Sequence, residues 1–175
     1  MNLFEAIEKR YSHKETFLPD PIPLEHLEKI AKAGITAPSG VNRQTVRLII
    51  LPSRIEIDPV NKLLPHGGID TTPAAIAVLT DNTPQEELHF QKEDYSAAMQ
   101  NILLAATALG YGSLWLDYPF FDQERQTATK SLLQVPENYH LWALVPIGKP
   151  SSPGSRREKM PYEARVSYRH FGGTR

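Results

Sequence analysis

Cysteine is missing from all 175 residues. Its absence removes disulfides, thiolate metal sites and a cysteine nucleophile, and it fits a reducing compartment. Long apolar runs are missing too: none approaches the ~20 residues that span a bilayer, so no membrane association is expected. Neither sign of charge is in excess, with 19 Lys and Arg against 20 Asp and Glu and a net charge of -1. Such a chain has no general attraction for nucleic acid or an anionic lipid surface, and neither partner is expected. The opening "MNLFEAIEKR" is amphipathic and lacks the apolar core of a secretory signal, so a cytoplasmic location is expected.

Several catalytic signatures are also absent. Gly110 and Gly112 form a G-x-G, but Leu114 and Trp115 follow where a dinucleotide fingerprint needs a third glycine. Gly148-Lys149 runs into Pro150 without the earlier glycine of a phosphate-binding P-loop. No G-x-S-x-G or H-E-x-x-H occurs, and His26, His66, His89 and His140 are scattered without metal-ligand spacing. Neither a hydrolytic triad nor a metal centre is expected.

What the sequence does have is alternation of helix and strand signals, broken by 15 prolines. Asn2 can cap a first helix with Leu3, Phe4 and Ile7 on its inner face. "LPDPIP" (18–23) forces an extended crossing. A second helix from Pro23 has Leu24, Leu27, Ile30 and Ala31 on one face and ends between Gly34 and Pro38. "VRLIIL" (46–51), "AAIAVLTD" (74–81), "SLWLDY" (113–118) and "HLWALVPIG" (140–148) read as strands, the second apolar enough to be central. A long helix is expected from about Gln85 to Leu109, buried and rich in small residues, and another from an Asp122 cap to Leu133. The order suits an α+β sandwich in a single domain, 1–175, better than a doubly wound sheet.

Three segments look built for something besides a core. Arg10-Tyr11-Ser12-His13-Lys14 sets charge and a hydroxyl where the first apolar stripe stops, and matches a phosphate. "APSGVNRQ" (37–44) is a proline-broken turn that exposes backbone N–H groups beside Ser39, Asn42 and Gln44, suited to a polar heterocycle. "SRREKMP" (155–161) is a second cation cluster in an irregular, arginine-rich tail.

In this order the segments resemble the nitroreductase family of FMN-dependent oxidoreductases. Arg10-Tyr11-Ser12-His13-Lys14 is similar to the family's R-[RHY]-S-x-[RK], and "PDPIPLEHLEKIAKAGITAPSGVNRQTV" to its PxPxexLekIleAa and APSxxNxQPW stretches. "SAAMQNILLAATALGYGS" (96–113) is similar to aaQNlLLaAxaLGlGs, and Arg156 and Arg157 to an arginine-containing segment near the end. The resemblance implies an α+β, α/β/α sandwich around a central mixed β-sheet, with a long central helix. It implies an intertwined homodimer with FMN at the subunit interface and a tail, from about residue 150, packed on the partner.

By the same resemblance Arg10, Tyr11, Ser12 and Lys14 grip the FMN phosphate and ribityl chain. Pro38, Ser39, Gly40, Asn42 and Gln44 reach the ring from the other subunit, and Leu116, Asp117 and Tyr118 bring backbone to flavin N5. Arg156 or Arg157 completes the phosphate site. Two departures stand out: the family's Gln-Pro-Trp is Gln44-Thr45-Val46 here, and "LPHGGID" (64–70) lacks a match to the family's further flavin contacts. The implied activity passes hydride from NADH or NADPH through N5 to a small-molecule acceptor such as a nitroaromatic or quinone, in ping-pong order. No side chain is required as acid or base, so no catalytic side chain is assigned beyond backbone near Asp117. The alternatives are other flavin redox work (dehalogenation, ring oxidation, flavin fragmentation) or FMN binding without catalysis.

Overall fold

The computed structural model describes residues 1–64, 69–83 and 89–175. Four strands make one sheet: β1 (Val46–Leu51), β2 (Ala74–Asp81), β3 (Gly112–Ser113) and β4 (Tyr139–Gly148), in the order β1-β2-β4-β3. β2 is central and buried over nearly all its length, as its unbroken apolar sequence requires. Every pairing between these strands is antiparallel, and the parallel component is one bridge, Ser12 to Ser113. The four named strands thus pair antiparallel, and the Ser12–Ser113 bridge adds a parallel contact at the β3 edge.

Side-chain alternation along β2 sorts the molecule into layers. Ala74, Ile76 and Val78 pack under α2 (Leu24–Ile35) and α4 (Gln91–Ala108), with Leu27, Ile30, Met99 and Ile102 filling the gap. Ala75, Ala77 and Leu79 face the other way, onto Ile57 and Val60 of α3 (Arg54–Asn61) and onto Phe120 and Leu133 beside α5 (Gln123–Leu132). The result is the α/β/α sandwich. α4 begins at Gln91 rather than near Gln85; residues 84–88 lie outside the described ones. Among the described residues no helix is long and apolar enough to cross a membrane.

The third strand is shorter than its sequence predicts, for a reason that lies in its neighbour. Gly112 pairs with Gly148 and Ser113 with Ile147, which brings Leu114 opposite Pro146. Pro146 has no N–H to return, so the ladder stops there. It resumes as one bridge where Leu116 and Leu144 exchange both bonds, at 3.1 and 2.9 Å.

α3 has no counterpart in the sequence reading. Ser53 caps it and Glu56 reaches back to the Ser53 N–H at 3.1 Å, a reciprocal S-x-x-E box that was available as a signal. The first helix, α1 (Leu3–Lys9), is capped by Asn2 as expected, with Asn2 Oδ1 accepting from Glu5 N–H at 2.9 Å. Its apolar face is not internal, however. Ala6 alone is buried, while Leu3, Phe4 and Ile7 stand exposed, Phe4 by 75%.

α5 is tied to the sheet by Gln126, whose two amide hydrogens are shared among Phe120 O, His140 Nε2 and Leu141 O at 3.1–3.3 Å. His140 must be neutral at Nε2 to accept. Burial, then the charge of Lys130, holds its pKa below the ordinary value. The unfolded chain takes up this proton near pH 6.5 while the folded one resists it, so stability is full above that pH and is lost as pH falls toward the lowered folded value. Denaturant midpoints of the parent should drop across this window, and those of His140→Gln should drop less. Equal slopes would remove His140 from the acid response.

Candidate functional site

After α1 the chain runs extended, and alternation decides which side chains face out. His13 points in and is 1% exposed. Its Nε2–H donates to Thr16 O at 3.0 Å, Tyr11 Oη–H reaches its Nδ1 at 3.4 Å, and its ring lies 4.5 Å from that of Phe17. His13 N–H also donates to Ser113 O at 3.0 Å. Counted by sequence among the cations, His13 is instead the anchor that turns Ser12 and Lys14 outward.

The tail supplies the opposite wall. It leaves β4 paired to the same segment, through Leu18 N to Lys149 O at 2.8 Å and Ser151 N to Thr16 O at 3.1 Å. Gly154 then lies flat on Tyr11, so close that a Cβ would stand 1.9 Å from the ring. Arg156 Nη1 donates to Glu8 O, at the C-terminal end of α1, at 3.0 Å. Between the walls is a cleft of about 570 Å³ lined by Arg10, Tyr11, Ser12, Lys14, Glu15, Arg156, Arg157 and Lys159, among others. Five cations thus face one carboxylate, and among the described residues none of the five is in an ion pair. Like charges converging without a counter-ion repel one another, and an anion between them relieves the repulsion.

The second sequence segment forms a different cavity. About 630 Å³ lies between α2 and β1, walled by Ala31, Gly34, Val46, Leu48 and Ile50 and edged by Pro38, Ser39, Gln44 and Asp94. The loop carries three left-handed residues, Val41, Asn42 and Gln44, with φ of 44°, 57° and 52°. For β-branched Val41 this is an uncommon strain, of order 1–3 kcal/mol. Ser39 Oγ accepts from Gln44 N–H at 2.9 Å, which braces the loop and leaves its O–H free to donate. Asp94 of α4, buried at 1% exposure, accepts from Gly40 N–H at 2.8 Å and from the Thr45 hydroxyl at 2.6 Å. Sequence reasoning missed Asp94, and its signal was an acidic residue on the otherwise apolar inward face of α4.

The two cavities have no lining residue in common. Within one chain, Arg10, Tyr11, Ser12, Lys14, Arg156 and Arg157 come together, and Pro38, Ser39 and Gln44 do so elsewhere; Gly40 and Asn42 belong to the second loop without lining its cavity. Leu116, Asp117 and Tyr118 line neither. Both backbone groups of Leu116 are taken by Leu144, and Asp117 O accepts from Phe120 N–H at 2.8 Å, whereas Asp117 N–H makes no hydrogen bond among the described residues. The segment 64–70 falls partly at residues 65–68, outside the described ones.

A family model described as the nitroreductase family matches residues 7–67 and 60–149. The chain belongs to the nitroreductase family. A Methanothermobacter thermautotrophicus protein with the provisional name NADH dehydrogenase/NAD(P)H nitroreductase is 31% identical over 159 residues, 89% of this chain and 82% of its own. An Archaeoglobus fulgidus protein of the same provisional name is 37% identical over 143 residues, covering 80% and 78%. Among solved structures, one from Desulfovibrio desulfuricans, provisionally called a nitroreductase and in complex with FMN, superposes with a TM-score of 0.82 at 26% identity over 95% of both chains. The family match takes in residues 10–14 of the cleft and the loop at 37–45, whereas Arg156 and Arg157 lie beyond it.

Proposed function

We propose that this protein binds FMN and acts as an NAD(P)H-dependent oxidoreductase of the nitroreductase type. The observation that carries the reading is the cleft lined by Ser12 and five cations, none of them in an ion pair among the described residues. That set fits the dianionic phosphate monoester of FMN. Bound FMN supplies two-electron transfer between a reduced nicotinamide and an acceptor such as a nitroaromatic or quinone.

The chain's own contribution is position and charge. Arg10, Lys14 and Arg157 hold the phosphate, and Ser12 is within the same lining. Arg156, engaged at Glu8 O, fixes the tail against α1. Asp117 N–H, with no hydrogen bond among the described residues, is the donor available to flavin N5. The Pro38–Gln44 loop belongs to a separate cavity, so it serves the ring of the site on a second copy of the chain. A homodimer is accordingly part of the proposal. It gives the exposed Leu3, Phe4 and Ile7 of α1 and the exposed Met160, Tyr162 and Phe171 of the tail something to cover them.

Titration with flavins tests the reading. FMN should bind at least about tenfold more tightly than FAD, whose phosphate is bridged to an adenylate and carries less charge to the cluster. Equal affinity would count against the cleft as a phosphate site. Anaerobic addition of NADH or NADPH should bleach the flavin absorbance. Bound FMN that stays oxidised with both would leave a flavin-binding protein without this activity.

A further inference from the structure

The family pattern reads Gln-Pro-Trp where this chain has Gln44-Thr45-Val46. At first sight the change only loses an aromatic and a stiff residue. The geometry points to an exchange of one restraint for another. Thr45 is buried, and its hydroxyl donates to one oxygen of Asp94 at 2.6 Å while Gly40 N–H donates to the other at 2.8 Å. One carboxylate therefore grips both ends of the left-handed run Val41, Asn42 and Gln44. Proline at 45 has no hydroxyl for Asp94. It would also drive residue 44 toward extended backbone, whereas Gln44 has φ of 52° and donates its N–H to Ser39 Oγ.

From this we infer that Asp94 is a positioning residue, and that Thr45 in place of proline is what lets it work. The Asp94–Gly40–Thr45 clamp holds residues 38–44 in the shape that serves the flavin ring; the inference rests on the FMN reading above. Two further observations agree. Phe90, one helical turn before Asp94, fills the space beside Gly40, where a Cβ would stand 2.1 Å from its ring. Among the described residues no cation pairs with Asp94, so these two donors are what hold its carboxylate.

The test compares Asp94→Ala, Asp94→Asn, Thr45→Val and Thr45→Pro in the full chain, by amide hydrogen exchange across residues 39–45 and by FMN titration. Asn keeps a carbonyl for Gly40 N–H, and its amide can donate to a reversed Thr45 hydroxyl. It should exchange like the parent and bind FMN within about threefold. Asp94→Ala and Thr45→Pro should exchange at least about tenfold faster in this loop and weaken FMN by roughly ten- to a hundredfold. A residue that merely supported the fold would lower the melting temperature and leave FMN affinity of the folded protein unchanged. Parent-like exchange and affinity in folded Asp94→Ala, or in Thr45→Pro, would overturn the clamp. Should Asp94→Ala fail to fold, Thr45→Val decides: faster loop exchange and intermediate affinity support the clamp, parent values overturn it. A parent that binds no FMN overturns the flavin reading, and loop exchange still judges the clamp.

Discussion

Replacing Arg10 with alanine should lower FMN affinity by roughly ten- to a hundredfold and leave the fold intact. Arg10 ends α1 through its backbone N–H, which donates to Ala6 O at 2.9 Å and survives the change. Its side chain faces the cleft and has no ion pair among the described residues. A charge-assisted bond to phosphate is worth about 1.5–3 kcal/mol, and each 1.4 kcal/mol is tenfold in affinity. The flavin-free protein loses only a repulsive neighbour, so its melting temperature should hold or rise. Arg157→Ala should follow Arg10→Ala closely. Arg156→Ala differs, because it also frees the tail from Glu8 O. All three affinities should fall with added salt, and the parent's should fall most steeply. An Arg10→Ala protein with the parent's FMN affinity and salt dependence would take this residue out of the site.

Much of the fold was legible because its signals are local. "VRLIIL" and "AAIAVLTD" became β1 and β2 residue for residue, and Asp122 caps α5 with its carboxylate on Arg125 N–H at 2.8 Å. The misreadings have non-local causes. "SLWLDY" has strand composition throughout, but the ladder is cut by Pro146, more than thirty positions away in sequence. β4 advances an extra residue at Trp142, which has no partner between Leu141 and Ala143, so Leu141 and Leu144 share one core despite their odd spacing. The extra residue leaves Trp142 free to stack on Tyr95 of α4, ring centroids 4.6 Å apart and nearly parallel. No periodicity along either segment encodes such an event.

The site divides in the same way. Arg10, Ser12 and Lys14 could be chosen from the sequence because charge clustered at a helix end is visible there. The inward turn of His13 could not, since it depends on Thr16 O and Phe17. Nor could the share of Arg156 that goes to Glu8 O, 148 positions away. Ser39 reads as a ligand for a heterocycle, and its oxygen also accepts from Gln44 N–H, a loop bond that leaves its O–H free to donate. Polar residues in a turn are often engaged by their own backbone, which composition alone does not separate from ligand binding.

Removing residues 160–175 should yield a monomer that no longer retains FMN, although every cation of the cleft remains. The segment contributes little to its own chain. Apart from Tyr168 and Gly173, which are partly covered, its residues are exposed; Phe171 reaches 101% and Met160 66%. Its hydrogen bonds are internal, such as Tyr168 N to Gly173 O at 2.8 Å. Ordering such a stretch costs about 1–2 kcal/mol per residue in backbone entropy, with no burial in the same chain to offset it. Covering Met160, Tyr162, Val166 and Phe171 on a second copy contributes about 1.5–3 kcal/mol for each large apolar side chain. Leu3 and Phe4 of α1, 62% and 75% exposed, need the same cover. The cleft and the 38–44 loop line separate cavities, so on the proposed two-chain site a monomer should keep the phosphate grip and lose the loop that would serve the ring. Sedimentation equilibrium and flavin absorbance after gel filtration read the two effects together. A truncated protein that stays dimeric, or a monomer that keeps its FMN, would separate the tail from the flavin site and defeat the two-chain reading.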